Sequence, residues 1–321
     1  MKTSWPQWAI GPFEKHPGNP VLSPSEKGFD SWAVYNAAVT AHDGLFHMYY
    51  RAESRDESDT PYCGTSRIGL AVSPDGLKWT RPFTAPLIDA TEAWEIPGGC
   101  EDPRIVKVGS VWHLLYTGYC WPKGVVLCDA VSTDLVRWEK RGPVFKRETL
   151  RGTQSKSACP VCSPEGEAVR IGGRYVLYTN DQVAFSDDFE RWEVEPLKAA
   201  SFSGRLNEVC VAVTDHRRPG LDDIVLFVAG TLDRIPGAGD RFYAVGEALM
   251  SRRDPRERLD VLPGAVLAAE HPFERSTDRL SMVAEAGKGC IFLDSLFRHE
   301  GRWWAYYGAG DQYVGLATAP A

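Results

Sequence analysis

The stretch Ala71-Val72-Ser73-Pro74-Asp75-Gly76-Leu77-Lys78-Trp79 returns as Ala130-Val131-Ser132-Thr133-Asp134-Leu135-Val136-Arg137-Trp138 and again as Ala184-Phe185-Ser186-Asp187-Asp188-Phe189-Glu190-Arg191-Trp192. Weaker echoes stand at Ala248-Leu249-Met250 and Leu316-Ala317-Thr318, which makes five copies. Ahead of each copy comes a turn and then a run rich in aromatic and β-branched residues: Gly44 to Tyr50, Gly109 to Tyr116, Gly173 to Tyr178, Asp223 to Val228 and Gly301 to Tyr307. Each unit reads strand, turn, strand, Ser-x-Asp turn, Trp-bearing strand, with no useful 3.6-residue period. Self-similarity at a spacing of tens of residues points to one repeated supersecondary unit. Five units use the chain from 1 to 321, so the sequence predicts a single all-β domain, a five-bladed β-propeller with a central pocket. A β-sandwich is the competing architecture, but it gives no reason for one phrase to recur five times. Trp79, Trp138 and Trp192 are expected to rivet the blade cores rather than to bind ligand.

Composition narrows the function. At 43% hydrophobic and 25% charged, the chain has ample core and is far from the polar balance of a disordered segment. Eleven Trp, 12 Tyr and 13 Phe supply flat amphipathic rings suited to ligands with apolar faces and polar edges, such as sugars. The net charge of -7, without a Lys/Arg run, argues against nucleic acid and anionic membranes as partners. No apolar stretch approaches the roughly 20 residues of a membrane span. Met1-Lys2-Thr3-Ser4-Trp5-Pro6 shows no apolar signal core, so a cytoplasmic location is expected. Free buried thiols are therefore the expected state of the eight cysteines. Cys159 and Cys162 form one Cys-x-x-Cys without the second pair or the His residues of a structural zinc site, so no metal and no cofactor are expected.

Inner strands of a propeller converge on the axis, so polar residues embedded in apolar strand sequence are the candidates for a site. Asn36 lies in Tyr35-Asn36-Ala37-Ala38-Val39, Arg51 follows Met48-Tyr49-Tyr50, Arg67 precedes Ile68-Gly69-Leu70-Ala71, and Asp311 follows Tyr306-Tyr307-Gly308-Ala309-Gly310. Gly99-Cys100-Glu101-Asp102-Pro103-Arg104-Ile105 carries two acids and a cation together. Inverting glycoside cleavage needs a protonated acid at the leaving oxygen and a second group that activates the nucleophile. A carboxyl group keeps its proton near neutrality when burial or a neighbouring negative charge raises its pKa, and Glu101 beside Asp102 offers both. Consecutive strand residues point to opposite faces, so one of the two acids is expected to face the pocket.

These segments, with Ser66 to Ala71 and the closing Tyr306 to Asp311 and Val314 to Ala317, resemble glycoside hydrolase family 130, five-bladed propellers that are β-mannoside phosphorylases or β-mannosidases. The resemblance implies an oligosaccharide substrate, Asp102 as general acid, and Asn36, Arg51, Arg67, Glu101, Arg104 and Asp311 as the substrate-binding set. It also implies phosphate-holding cations in the third and fourth blades. There this chain has Cys162-Ser-Pro-Glu-Gly-Glu-Ala168, Tyr178-Thr-Asn-Asp181 and Phe227-Val-Ala-Gly230, leaving Lys156 and Arg205 as the cations that could still serve. Phosphate recognition wants paired cations. Water is therefore the expected acceptor, with Glu208 as base and Glu165 and Glu167 as its rivals. A phosphorylase using inorganic phosphate and a non-catalytic sugar-binding propeller are the competing readings.

Overall fold

The computed structural model describes residues 5–54, 65–120, 124–145, 156–180, 182–198, 208–218, 221–230, 243–275 and 288–321. Within them the strands form antiparallel meanders, and the one helical element is a 3-10 turn at Pro272–Glu274. The first meander runs Ala33–His42, Leu45–Glu53 and Arg67–Ser73, and the second Gly99–Val108, Val111–Cys120, Gly124–Ser132 and Glu139–Pro143. Ala158–Cys162, Arg174–Thr179, Gln182–Ser186 and Glu193–Pro196 make the third; Glu208–Val213, Ile224–Gly230, Ala244–Met250 and Arg258–Val261 the fourth. The fifth consists of Ile291–His299, Arg302–Ala309 and Tyr313–Pro320, and takes its outer strand from Glu14–Lys15, which pairs with Thr318 and Ala317. That pairing covers a row of backbone groups that an open edge would expose. The first strand of every meander is the innermost. Thr40, Arg104, Cys159, Cys210 and Asp294, one from each, line a single cavity of about 50 Å³.

The repeated phrase works as a self-capped turn. Ser73, Ser132 and Ser186 each accept backbone N–H bonds through Oγ from residues two and three further on. Asp75, Asp134 and Asp188 each accept the next two N–H groups. Local bonding of this kind makes the turn independent of its surroundings, which is why the phrase is so readable. The Trp rings do more than fill their own meanders. Trp79 packs edge-on against Tyr306 of the fifth meander and Trp138 against Tyr49 of the first, at centroid separations of 5.9 and 5.3 Å. Tyrosines stitch the same joints: Tyr306, Tyr49 and Tyr178 each donate from the hydroxyl to a turn carbonyl of the next meander, at Gly76, Leu135 and Pro255, all at 2.8 Å.

A second repeat is invisible as a phrase. Buried Asp30, Glu95 and Glu274 each accept a tyrosine hydroxyl, from Tyr50, Tyr116 and Tyr307 at 3.0, 2.8 and 2.7 Å. Each also pairs with one cation, Arg81, Lys140 and Lys15, at 2.7, 2.6 and 2.7 Å. Each buried carboxylate thereby has both a hydroxyl donor and a counter-charge.

Candidate active site

The innermost strands of four meanders break register at the same depth: between Tyr35 and Ala38, Glu101 and Arg104, Val209 and Val211, and Leu293 and Ser295. Asn36 and Asp102 sit in these bulges with φ of 47° and 50°. That left-handed region is tolerated best, among residues with a Cβ, by Asn and Asp. A bulge sets two residues against one and suspends the alternation of faces. The expectation that Glu101 and Asp102 point to opposite faces is corrected accordingly, because both carboxylates converge on the same two cations.

Arg51 is the hub. Its Nη1 donates to Asp102 Oδ1 at 3.2 Å, its Nη2 to Glu101 Oε1 at 2.8 Å and Glu53 Oε1 at 3.1 Å, and its Nε to Ser66 Oγ at 2.9 Å. Glu53 is fully buried and also accepts the hydroxyls of Tyr35 at 2.6 Å and Ser66 at 3.1 Å. The guanidinium also lies 4.8 Å from the centroid of the Tyr35 ring. Asn36 Nδ2 donates to Asp102 Oδ1 at 2.7 Å. Space for Asn36 comes from Gly308, where a Cβ would fall 2.0 Å from Asn36 Oδ1. Lys156 closes the other side, its Nζ 3.4 Å from Glu101 and 3.7 Å from Asp102.

These contacts divide the protons. Burial pushes the Asp102 carboxyl up, but Arg51, Lys156, the Asn36 amide and Arg104 outweigh it and hold the group well below the usual carboxylate range. Burial also pushes Glu101 up, and there Arg51 and Lys156 offset it only in part. The expectation that Asp102 is the raised carboxyl is thus reversed, because the raised member of the pair is Glu101. Burial works against the charge on Lys156, yet Glu208, Glu101 and Asp102 override it and hold the ammonium well above its ordinary range.

The other expected residues separate. Glu208 joins the cluster through Lys156, and it accepts Ser157 Oγ at 2.8 Å and the Tyr243 hydroxyl at 3.2 Å. Asp311, with φ of 54°, accepts the Cys290 thiol at 3.5 Å, and Cys290 is bridged to Tyr243 along the backbone. Arg67 is directed to Asp89, its Nε 2.8 Å from the carboxylate. Arg104 takes a different place from the sugar-binding one that the resemblance implies. It is buried at the axis, ion-paired with Asp294 and bonded through Nε to the Cys210 carbonyl at 3.0 Å, a strut behind Asp102. Glu165 is held by Arg217 and Arg298 at 2.8 and 2.7 Å, and Glu167 pairs with Lys107, which stands five residues beyond Asp102 on one strand, about 16 Å away. Arg205 lies outside the described residues. Among them, no group of three or more His, Cys, Asp or Glu is arranged to hold a metal ion. Glu53, Ser66, Ser157 and Tyr243 were missed by sequence reasoning. Glu53 had a signal, since it stands two residues after Arg51 and so shares its face.

A family model described as beta-1,4-mannooligosaccharide phosphorylase matches residues 13–207. A 1,2-beta-oligomannan phosphorylase of Thermoanaerobacter sp. (strain X514) is 27% identical over 305 residues, covering 93% of this chain and 94% of that one. The solved structure of a putative glycosidase from Bacteroides thetaiotaomicron superposes with a TM-score of 0.84 at 28% identity, covering 99% of each chain. Another, described as showing that this family of mannoside phosphorylases contains glycoside hydrolases that target β-1,2 mannosidic linkages in Candida mannan, superposes at 0.85 with 26% identity over 100% of this chain and 98% of that one. With more than half of its length matched by one family model, the chain belongs to glycoside hydrolase family 130.

Proposed function

We propose that the five meanders are the blades of a propeller, and that the pocket at Asp102 cleaves a β-mannoside with inversion, using water as the acceptor. The observation that carries the choice of water is the set of carboxylates around Lys156. Glu208, Glu101 and Asp102 all face that ammonium, and Arg51 is already held by Asp102, Glu101 and Glu53, so an incoming anion would meet more acids than cations, with both cations engaged. In the reaction Asp102 gives its proton to the leaving oxygen while Glu208 takes one from the attacking water. The water oxygen bonds the anomeric carbon as the bond to the leaving oxygen breaks. A sugar that draws Lys156 away from Asp102 removes a counter-charge and raises that carboxyl toward a donor's range. Glu101, bonded to the same Arg51, is the neighbouring proton reservoir.

Phosphorolysis is the second reading, and it has a specific support. Two relatives matched over 93% of the chain are named phosphorylases, 1,2-beta-oligomannan phosphorylase and beta-1,2-mannobiose phosphorylase. One incubation separates the readings: purified protein with β-1,2- and β-1,4-mannobiose, with and without inorganic phosphate. Free mannose at a rate indifferent to phosphate supports hydrolysis, and mannose 1-phosphate formed only with phosphate overturns it. Binding without any product leaves a sugar-binding propeller.

A further inference from the structure

The repeat that builds the fold also marks where one meander departs from it. Three positions before the turn serines 73 and 186 stand Leu70 and Val183, both buried. Before Ser132 the same position holds Asp129. Its Oδ2 meets His113 Nδ1 at 2.9 Å, while Oδ1 is buried without a hydrogen-bond partner among the described residues. Burial raises this carboxyl, and His113, Arg141 and the Ala130 N–H offset that only in part. The fold does not require an acid here, since the first and third meanders hold a hydrocarbon at this position, and an unpaired buried oxygen is unfavourable.

Asp129 borders a cavity of about 490 Å³ between the second and third meanders, within the range of about 300–1,000 Å³ usual for small-molecule sites. Val108 and Pro143 form one wall and Phe189 and Trp192 contribute aromatic surface to the other. An adjoining cavity of about 360 Å³ shares Val111, Val131 and Arg141 with it, so the two make a continuous groove. Val108 stands six residues beyond Asp102 on the inner strand, about 20 Å along it, so the groove is remote from the pocket at Asp102.

We infer that this groove is a second, non-catalytic saccharide site, in which a pyranose hydroxyl donates to Asp129 Oδ1 and an apolar face of the ring rests on Val108 and Pro143. Other ligand classes fit less well. An anion would face Asp129, Asp188 and Glu190, with Arg141 the one guanidinium among the lining residues, and a hydrocarbon would leave Oδ1 unpaired. A neutral polyol satisfies the oxygen without bringing a charge that needs balancing. That the sugar is mannosyl rests on the function proposed above; that it is a saccharide rests on the groove itself.

The probe is β-1,2-mannotetraose, added to the full chain carrying Asp102→Asn so that it is not consumed. Calorimetry is expected to resolve two binding events, and hydrogen exchange to slow both around Asp102 and over Val108–Val111 and Gly142–Val144. Asp129→Leu, which installs the residue of the first meander, should abolish the second event and the distal protection without lowering the thermal midpoint. Val131→Trp, which fills the groove from its wall, should do the same to binding. In the otherwise natural chain either change should leave kcat/KM on β-1,2-mannobiose within about twofold. One binding event, or two that survive both variants, overturns the inference, as does a lowered midpoint with the second event intact, which marks Asp129 as structural. Turnover of mannobiose without groove protection sinks this site alone. Groove protection without turnover sinks the proposed chemistry and leaves the site standing.

Discussion

Glu95 and Asp102 are buried acids a few residues apart in sequence, each beside a cation, and they do opposite things. Glu95 has counterparts in Asp30 and Glu274, with the same tyrosine and the same single cation in each. All its bonding is internal and complete. Asp102 sits at a backbone position that also repeats, the bulge of the inner strand, but the side chains there change from Asn36 to Asp102 to Cys210 to Asp294. Its partners form an uneven network of two acids, two cations and an amide. In a repeated fold, a charge that recurs in the same setting holds the molecule together. A charge that breaks the repetition on a repeated backbone is the one to test for chemistry, and Asp129 is a second such break.

The sharpest way to break this contrast is Asp102→Asn. The amide keeps the shape and the Asn36 contact region but cannot give up the acid's proton, so turnover should fall by about a hundredfold to ten-thousandfold while the folded state persists. Unchanged product formation, measured chromatographically, would return Asp102 to the structural class. Glu208→Gln is expected to cost about a hundredfold or more in kcat on the same grounds, with binding of mannobiose still measurable. A rate restored to this variant by inorganic phosphate would make Glu208 a bystander and phosphate the acceptor. Glu95→Ala should do the reverse of Asp102→Asn. Losing a buried acceptor of one hydroxyl and one ammonium lowers stability by about 1–3 kcal/mol in denaturant melts, and kcat/KM of the remaining folded protein stays as it was.

The legible parts of this molecule are those that chain neighbours decide. The Ser and Asp side chains that cap the turns at Ser73, Ser132 and Ser186 bond to backbone N–H groups two and three residues on, so their phrase announced both turn and repeat. Arg51, Asn36 and Asp102 stand out in the sequence as polar residues in apolar strands, and the structure joins them in one hydrogen-bonded cluster. The ion pairs of Arg104 with Asp294 and of Glu165 with Arg217 and Arg298 could not be read from the sequence, because each partner comes from another meander. The shared aim of Glu101 and Asp102 was hidden by a positive φ that nothing in an extended-strand sequence announces. Glu14–Lys15 is two residues long and pairs with Thr318 and Ala317 near the other end of the chain, which no local pattern specifies.

The smallest effect tests the finest contrast, that between Glu101 and Asp102. The folded state raises Glu101 above its ordinary value of 4.5, so the folded protein keeps a proton that the unfolded chain releases. Stability from that group is present below about 4.5 and is lost as pH rises through the folded value. Gln cannot ionise, so the stability of Glu101→Gln relative to the natural chain should increase from pH 4 to pH 8, whatever the constant offset from its altered bond to Arg51. Asp102 is lowered from 3.8, so its contribution is present above that value and lost as pH falls through the lower folded one. Asp102→Asn should therefore be at its greatest disadvantage near neutrality and recover toward acid pH. Denaturant midpoints of the three proteins from pH 2 to pH 8 give two slopes of opposite sign, that of Asp102→Asn below about pH 4 and that of Glu101→Gln above it, if Glu101 is the raised member of the pair. A flat or falling slope for Glu101→Gln, with a rising one for Asp102→Asn, would put the proton on Asp102 and make it a donor before any sugar arrives.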